Sequence, residues 1–325
     1  MSLAISVAMC TYNGARFLTE QLNSIACQTK IPDELVICDD RSTDGSAQIV
    51  SEFSRHVSFP VRFVVNEQTL GSTKNFEQAI SICAGEIVVL ADQDDVWYPG
   101  KLQRIAQAFL HSKAVAAFSD ADVIDDSSRP AGFRLWQSFS FPLGEQKRFA
   151  AGQALNILIK HPVVTGAAMA FRRGLFPFLA PIPANDIHDR WMSFLLATCG
   201  RYQLIPEPLM QYRRHHNQQV GMGALTFRDR FARARVTGRD LYLSEIERFR
   251  QLYARLQLHR TDLPNAAYAM AEIDRKISHL EHRLRLRETN IARVPQILRE
   301  VCKHSYWRYG AGWESVAKDL FMNKQ

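Results

Sequence analysis

The sequence predicts an α/β fold, a mostly parallel sheet flanked by helices, followed by a C-terminal helical extension. Three observations predict it. Short apolar runs alternate with stretches of helical periodicity as far as about residue 220, the pattern of a parallel sheet with right-handed crossovers. Several of those runs stop abruptly in Asx, Thr or Gly residues, where strands should end. The charge is also uneven: residues 1–225 carry 20 Lys+Arg against 21 Asp+Glu, whereas 226–325 carry 20 against 12. Residues 1–225 are therefore expected to form one domain, with halves of about 1–120 and 121–225, and 226–325 a basic amphipathic helical region.

Taken in order, Ala4 to Cys10 is an apolar strand closed by Thr11-Tyr-Asn-Gly14, and Phe17, Leu18, Leu22 and Ile25 then recur at helical spacing. Glu34 to Cys38 repeats the strand pattern, stops at Asp39-Asp40 and leads into a helix with Ala47, Ile49, Val50 and Phe53 inward. Val61 to Val65 is a third strand, followed by Asn66, Gly71 and a helix marked by Phe76, Ala79, Ile80 and Cys83. Ile87 to Leu90 is the fourth strand, and Leu102, Ile105, Ala106 and Phe109 give the next helix. Ala114 to Phe118 is a strand ending at Ser119-Asp-Ala-Asp122. Residues 126–150 have little periodicity but carry Phe133, Trp136, Phe139, Phe141 and Phe149, the composition of core packing or of a sugar-binding wall. Val163 to Phe171 is expected to be a buried strand, with Gly166 where a side chain would block a close approach. A helix then begins near His188, carrying Phe194, Leu195 and Thr198 on one face, and Tyr202 to Ile205 is the last strand. From Thr226 the sequence reads as helical, with Phe227, Phe231, Leu241, Ile246, Phe249, Leu252 and Leu256 inward, and again through Ile273, Ile277, Leu280 and Leu284. Arginines, among them Arg228, Arg230, Arg233, Arg235, Arg283, Arg285 and Arg287, line the other faces.

Composition narrows the function. The six cysteines are scattered without a C-x-x-C pair, which indicates neither disulfides nor zinc and suits a reducing compartment. The N-terminus lacks the basic lead of a signal peptide, and the longest apolar run, Val163 to Phe171, is nine residues. A cytoplasmic protein is expected, at most peripheral at the inner face of the plasma membrane. Two readings of the basic region stay open: a solvated face, or a surface for anionic lipid. Nucleic acid is not an expected partner, because the aromatics there fall on helical core positions and the first 225 residues are not basic.

The chemistry is concentrated at the fourth strand's end, where Asp92, Asp94 and Asp95 fall within four positions. Crowded carboxylates repel unless a cation or a proton sits among them. An all-oxygen set suits Mg²⁺ or Mn²⁺ carrying phosphate, although an acidic turn capping the next helix is the plainer alternative. In open parallel sheets ligands bind at the carboxyl ends of strands. Thr11 and Asn13, Asp39 and Asp40, and Asp92 and Asp94 all fall at such ends. Asp186 and Asp189, at the start of the later helix, read either as N-terminal caps or as a general base over the cleft.

Ser6-Val-Ala-Met-Cys-Thr-Tyr-Asn13, Val36-Ile-Cys-Asp-Asp-Arg-Ser-Thr-Asp44, Asn66 with Gly71 and Asn75, and Leu90-Ala-Asp-Gln-Asp-Asp-Val-Trp97 together resemble family 2 glycosyltransferases with the GT-A (Rossmann-like) fold. Thr165-Gly166, His188-Asp-Arg-Trp191 and Tyr212-Arg-Arg-His215 resemble the acceptor-half motifs of a subgroup that includes bacterial rhamnosyltransferases of surface polysaccharide synthesis. The resemblance implies an inverting transfer of a sugar from a nucleotide-sugar donor, UDP- or dTDP-linked, to a saccharide or lipid-linked saccharide. It implies Thr11 and Tyr12 beside the nucleobase and Asp40 on the base edge, with Asn13 and Asn75 also lining the donor site. Asp92 and Asp94 become a D-x-D element, Asp94 holding the metal, with Asp95 assisting and His215 completing the metal or diphosphate contacts. Asp189 becomes the catalytic base in preference to Asp186, with His188, Trp191 and Arg213 in assisting places. Cys10 and Gln218 depart from the commoner Thr or Ser and Asn of the pattern. Two rival classes are a sugar nucleotidyltransferase on a similar sheet, for which Thr11-Tyr-Asn-Gly14 lacks the Gly-rich phosphate loop, and a non-catalytic binding protein that keeps the fold.

Overall fold

A computed structural model describes residues 3–215, 239–286 and 290–321. Gln218, Arg287 and the arginines between 228 and 235 lie outside the described residues. The chain divides into two compact units, one holding residues 3–152 and 163–215, the other 153–162 and the described residues from 239 onward.

The first unit is built on β1 (Ile5–Thr11), β2 (Glu34–Asp39), β3 (Val61–Val65) and β4 (Ile87–Ala91), all parallel in the spatial order β3-β2-β1-β4. Helices α1 (Ala15–Ala26), α2 (Ser46–Ser54) and α3 (Ser72–Ile82) connect them. Strands β1, β2 and β4 are apolar along nearly their whole length because they are buried on both faces, as helix-covered parallel strands must be. After the two-residue β5 (Val96–Trp97), helix α4 (Lys101–Leu110) and β6 (Ala116–Ile124), the sheet continues from β4 through β8 (Met169–Arg172), β6 and β9 (Tyr202–Arg213) to β5.

In this second half the pairing is mixed. Strand β8 (Met169–Arg172) runs antiparallel to both β4 and β6, and β5 antiparallel to β9 (Tyr202–Arg213), while β6 and β9 are parallel. Only the end of the apolar run Val163 to Phe171 is strand; Gly166–Ala168 makes a 3₁₀ turn that brings the chain into the cleft before β8 begins. An unbroken apolar run marks burial, and this turn is as buried as the strand after it. Strand β9 passes through Pro206 and Pro208 because its register shifts against β6 between Ser119 and Asp122, and a shifted ladder tolerates a missing donor.

Residues 126–150 form a β-strand, β7 (Pro130–Arg134), and two short helices, α5 (Leu135–Ser138) and α6 (Leu143–Ala150). Trp136, Phe141 and Phe149 are buried and pack edge-on or tilted around Phe118 and Tyr202 with ring centroids 5.2–6.2 Å apart, so these aromatics are core. Helices α8 (Phe176–Leu179) and α9 (His188–Cys199) complete the unit.

The second unit is helical: α7 (Ala154–Leu158), α10 (Arg239–Leu258), α11 (Ala266–Leu284), α12 (Asn290–Cys302), α13 (Ser305–Tyr309) and α14 (Trp313–Phe321). Leu286, Ile297, Tyr306 and Val316 form an apolar core there, bordered by charged groups that are themselves buried. Arg283, expected on an outward arginine-rich face, is buried in a two-bond ion pair with Asp319 at 2.7 and 2.9 Å.

Candidate active site

The first unit's strand order reverses between β1 and β4, and the crevice beyond their carboxyl ends is where an open α/β sheet binds its ligand. The carboxyl ends of β1, β2 and β4, the Gly166 turn, the start of α9 and the end of β9 supply the residues there.

Asp92, Asp94 and Asp95 each offer a carboxylate oxygen within 4.8 Å of the others. His215, after β9, places Nε2 at 2.7 Å from Oδ2 of Asp94. Asp95 is fully buried; one oxygen accepts the Arg213 N–H at 3.0 Å and the other has no partner among the described residues. An orphaned buried carboxylate oxygen beside two more acids costs free energy unless something occupies it. Three oxygens and an imidazole are a donor set that fits Mn²⁺ or Mg²⁺. Desolvation, then Asp94 and then Asp189, push Asp92 up to about 7. Burial also pushes Asp95 well above the usual carboxylate range, with Asp94 and Asp92 adding to the effect.

Arg213 braces this turn from behind. Its side chain is buried, donating from Nε to the Asp94 carbonyl at 2.7 Å, from Nη1 to Ser128 Oγ at 2.8 Å, and from Nη2 to Glu20 on α1. Its guanidinium also covers the Phe17 ring at 4.7 Å. Arg213 thus acts on the acids through the backbone of their turn.

Asp189 opens α9 and accepts the Gly166 N–H at 2.8 Å. A Cβ on Gly166 would lie 2.7 Å from His188 Nε2 and 3.5 Å from Asp189 Cβ, so the glycine is what lets the turn close on this pair. His188 stacks on Phe76 at 4.2 Å, is buried, and has neither ring nitrogen hydrogen-bonded among the described residues; burial holds its pKa down and the ring neutral. Asp186 faces elsewhere, pairing with Arg190 at 2.7 Å and accepting the Ile187 N–H. Trp191, given an assisting place by the resemblance, is buried, with its indole N–H on the Leu179 carbonyl at 2.8 Å.

At the donor end, Thr11 donates from Oγ1 to Asp39 at 2.7 Å, and Asp39 also receives the N–H and hydroxyl of Ser42. Asn13 takes a left-handed φ of 46°, which Asn tolerates, and ties the first loop to the second by accepting the Thr43 N–H at 2.8 Å. Tyr12 is half exposed, and its backbone N–H and carbonyl both pair with the Gln93 amide. Asp40 and Asn75, both expected on the donor, are buried and spent on internal bonds. Asp40 accepts from Asn66, Leu70 N and Gly71 N at 2.7–2.9 Å, and Asn75 donates to the Cys38 carbonyl and accepts from Asn66.

One buried residue escaped the sequence reading, and a second stood there only within a motif. Lys101 is fully buried on α4, donating to the Ala167 carbonyl at 2.8 Å and lying 3.9 Å over the Trp97 ring. Burial pulls its pKa down to about 7 against the pull of Asp95 and Asp92. Its place at i−4 from Ile105 and i−8 from Phe109, on the apolar face of that helix, was the available signal. Tyr212 lies in the field of Asp95, Asp92, Asp94 and Asp189, and burial first and those charges second push its hydroxyl pKa up.

A crevice of this kind, with acids at the strand ends of a curled, mostly parallel sheet, is that of a GT-A glycosyltransferase. Residues 6–178, more than half of the chain, match the family described as glycosyl transferase family 2, and the chain belongs to that family. It is 28% identical over 251 residues to the dTDP-rhamnosyl transferase RfbG of Shigella flexneri, covering 73% of this chain and 82% of that one. The fold is shared with S. aureus TarS 1–349 in complex with UDP, at TM-score 0.58 and 17% identity over 86% of this chain and 71% of that one. It is shared too with the mannosyltransferase PcManGT from Pyrobaculum calidifontis in complex with GDP-Man and Mn²⁺, at TM-score 0.53 and 19% identity over 93% and 76%.

Proposed function

We propose that this glycosyltransferase is inverting and metal-dependent, moving a deoxyhexosyl or hexosyl group from a dTDP- or UDP-sugar to a hydroxyl of a glycan or lipid-linked glycan. The setting is the assembly of bacterial O-antigen, capsule or exopolysaccharide, at the cytoplasmic side of the membrane. The observation that carries the reading is the convergence of Asp189, steadied by the Gly166 N–H, on the acid cluster of Asp92, Asp94 and Asp95.

Asp189 takes the proton from the acceptor hydroxyl as the oxygen attacks the anomeric carbon. Neutral His188 packs beside Asp189 without adding a charge. Asp92, Asp94, Asp95 and His215 would hold a divalent cation, which when bound neutralises the charge of the departing nucleoside diphosphate. One base and a single displacement invert the anomeric configuration.

Thermal-shift or calorimetric titration with UDP, GDP, dTDP and CDP, with and without Mn²⁺, tests the donor reading. Stabilisation by dTDP or UDP that chelator removes is expected; silence from all four sinks it. Asp189→Asn tests the base: transfer is expected to fall by about 10²–10⁴ with donor binding retained, and an equal loss of both would place the base elsewhere.

A further inference from the structure

We propose that the outward faces of α12, α13 and α14 form a docking face for an anionic lipid surface. The proposal deepens the reading of a membrane-borne acceptor by placing the contact on particular side chains.

Helix α12 turns Ile297 into the small core of the second unit and leaves Val294 and Leu298 outward, one turn apart; Leu298 is 55% exposed. The next row round the helix carries Arg299 and Lys303, both exposed. The acid between them, Glu300, points inward to His279 Nδ1 at 2.7 Å, although the Lys303 ammonium reaches back to it at 3.2 Å. Helices α13 and α14 continue the pattern. Trp307 and Trp313 meet edge-on at 5.1 Å, and Gly312, at a φ of 60°, makes the turn that brings them together. Trp313 and Phe321 are 66% and 72% exposed, while Asp319 between them is buried against Arg283.

Five large apolar side chains therefore face outward on three short helices whose acids are, Glu314 apart, turned inward. An exposed patch of this kind marks an interaction surface. Its charge selects the occupant: the exposed basic groups on and beside these helices, Arg299, Lys303 and Arg308, outnumber Glu314, the one exposed acid there among the described residues. Tryptophans beside an apolar row, with Arg and Lys along its edge, suit the boundary between headgroups and acyl chains. Several arginines of the longer helices are engaged within the unit: Arg283 is ion-paired inside, and Arg250 and Arg285 both pair with Glu281.

The test is co-sedimentation of the full chain with vesicles of phosphatidylcholine alone and of phosphatidylcholine with phosphatidylglycerol. Binding to the anionic vesicles, weakened by added salt, is expected. One variant carries Leu298→Ser, Trp313→Ser and Phe321→Ser. A second, Arg299→Glu with Lys303→Glu, touches no apolar core residue and remains informative if the first fails to fold. Each is expected to lower vesicle affinity about tenfold or more while leaving the thermal shift with nucleoside diphosphate and Mn²⁺ unchanged, which separates this outcome from a failed donor site. Three results overturn the proposal: wild-type affinity in both variants, no binding by the wild type, or a concentration-dependent dimer that the triple substitution abolishes without vesicle binding, which would make the face a contact between two copies.

Discussion

Arg213 shows how much of this site depends on a residue that would not touch substrate. Lysine in its place keeps the charge but cannot span the Asp94 carbonyl, Ser128 and Glu20 at once. Arg213→Lys is expected to leave a folded protein whose Mn²⁺ affinity, measured by electron paramagnetic resonance, drops about tenfold or more, because the acid turn loses its brace. Gly166→Ala is expected to cost about 10–100-fold in kcat with little change in donor KM, since the methyl would displace His188 or Asp189 from the turn; a change confined to KM would contradict it. On the proposed metal-dependent reading, Asp92 would set the pH dependence of metal binding. Its carboxyl is raised to about 7, so a proton must leave as a cation enters, and metal affinity should rise as pH climbs through 7. Calorimetric titration with Mn²⁺ at pH 6 and pH 8 checks the sign. At this scale the sequence was legible where a residue type is costly to bury, as with the acid cluster. It was silent on how such residues are held: Asp40 and Asn75 look like ligand contacts in a linear motif, and only the fold shows that Asn66, Leu70 and Gly71 close a loop on them.

Among the elements, those with strong periodicity matched expectation closely. β1, β2 and β4 are laid down by largely apolar runs, β3 by a β-branched run around Arg62, and the helices between them by 3.6-residue spacing. The failures lie where a run of apolar residues is buried without being regular, as at Gly166–Ala168, or where burial comes from partners far along the chain. The arginine-rich helices are the second kind. No local pattern announces that Arg283 turns inward, since its partner Asp319 is 36 residues away. That pair is also where the second unit is most vulnerable. Asp319 accepts two bonds from Arg283 and one from the Tyr306 hydroxyl at 2.8 Å, all buried. Removing one member of a buried pair strands the other charge, so Asp319→Ala is expected to cost about 3–5 kcal/mol, read as a lowered midpoint in the far-UV melt of α10–α14. A melt unchanged from wild type would mean that water relieves Arg283.

Across the whole molecule, the spatial order β3-β2-β1-β4-β8-β6-β9-β5 carries a consequence that no single motif contains. The reversal between β1 and β4 puts the loop after Thr11 and the acid turn after Ala91 at the same edge, although 80 residues separate them. The Gln93 amide, paired with both backbone groups of Tyr12, joins the two loops directly. The opposite edge is equally well tied, by the Ser6 hydroxyl to Glu34 and by Gly85 N to Ser6 Oγ at 2.7 Å, but among the described residues it holds no group of acids placed to share a metal ion. Hydrogen exchange separates the two edges. Nucleoside diphosphate with Mn²⁺ is expected to slow exchange in peptides covering 11–14 and 92–95, and in the 66–71 loop that Asp40 closes. Peptides around Glu34 and Gly85 should exchange as before. Protection at the Glu34 edge instead would put the ligand at the amino ends of the strands and overturn the placement of the site. Protection spread evenly over both edges would mean global stabilisation by binding with no mapped crevice.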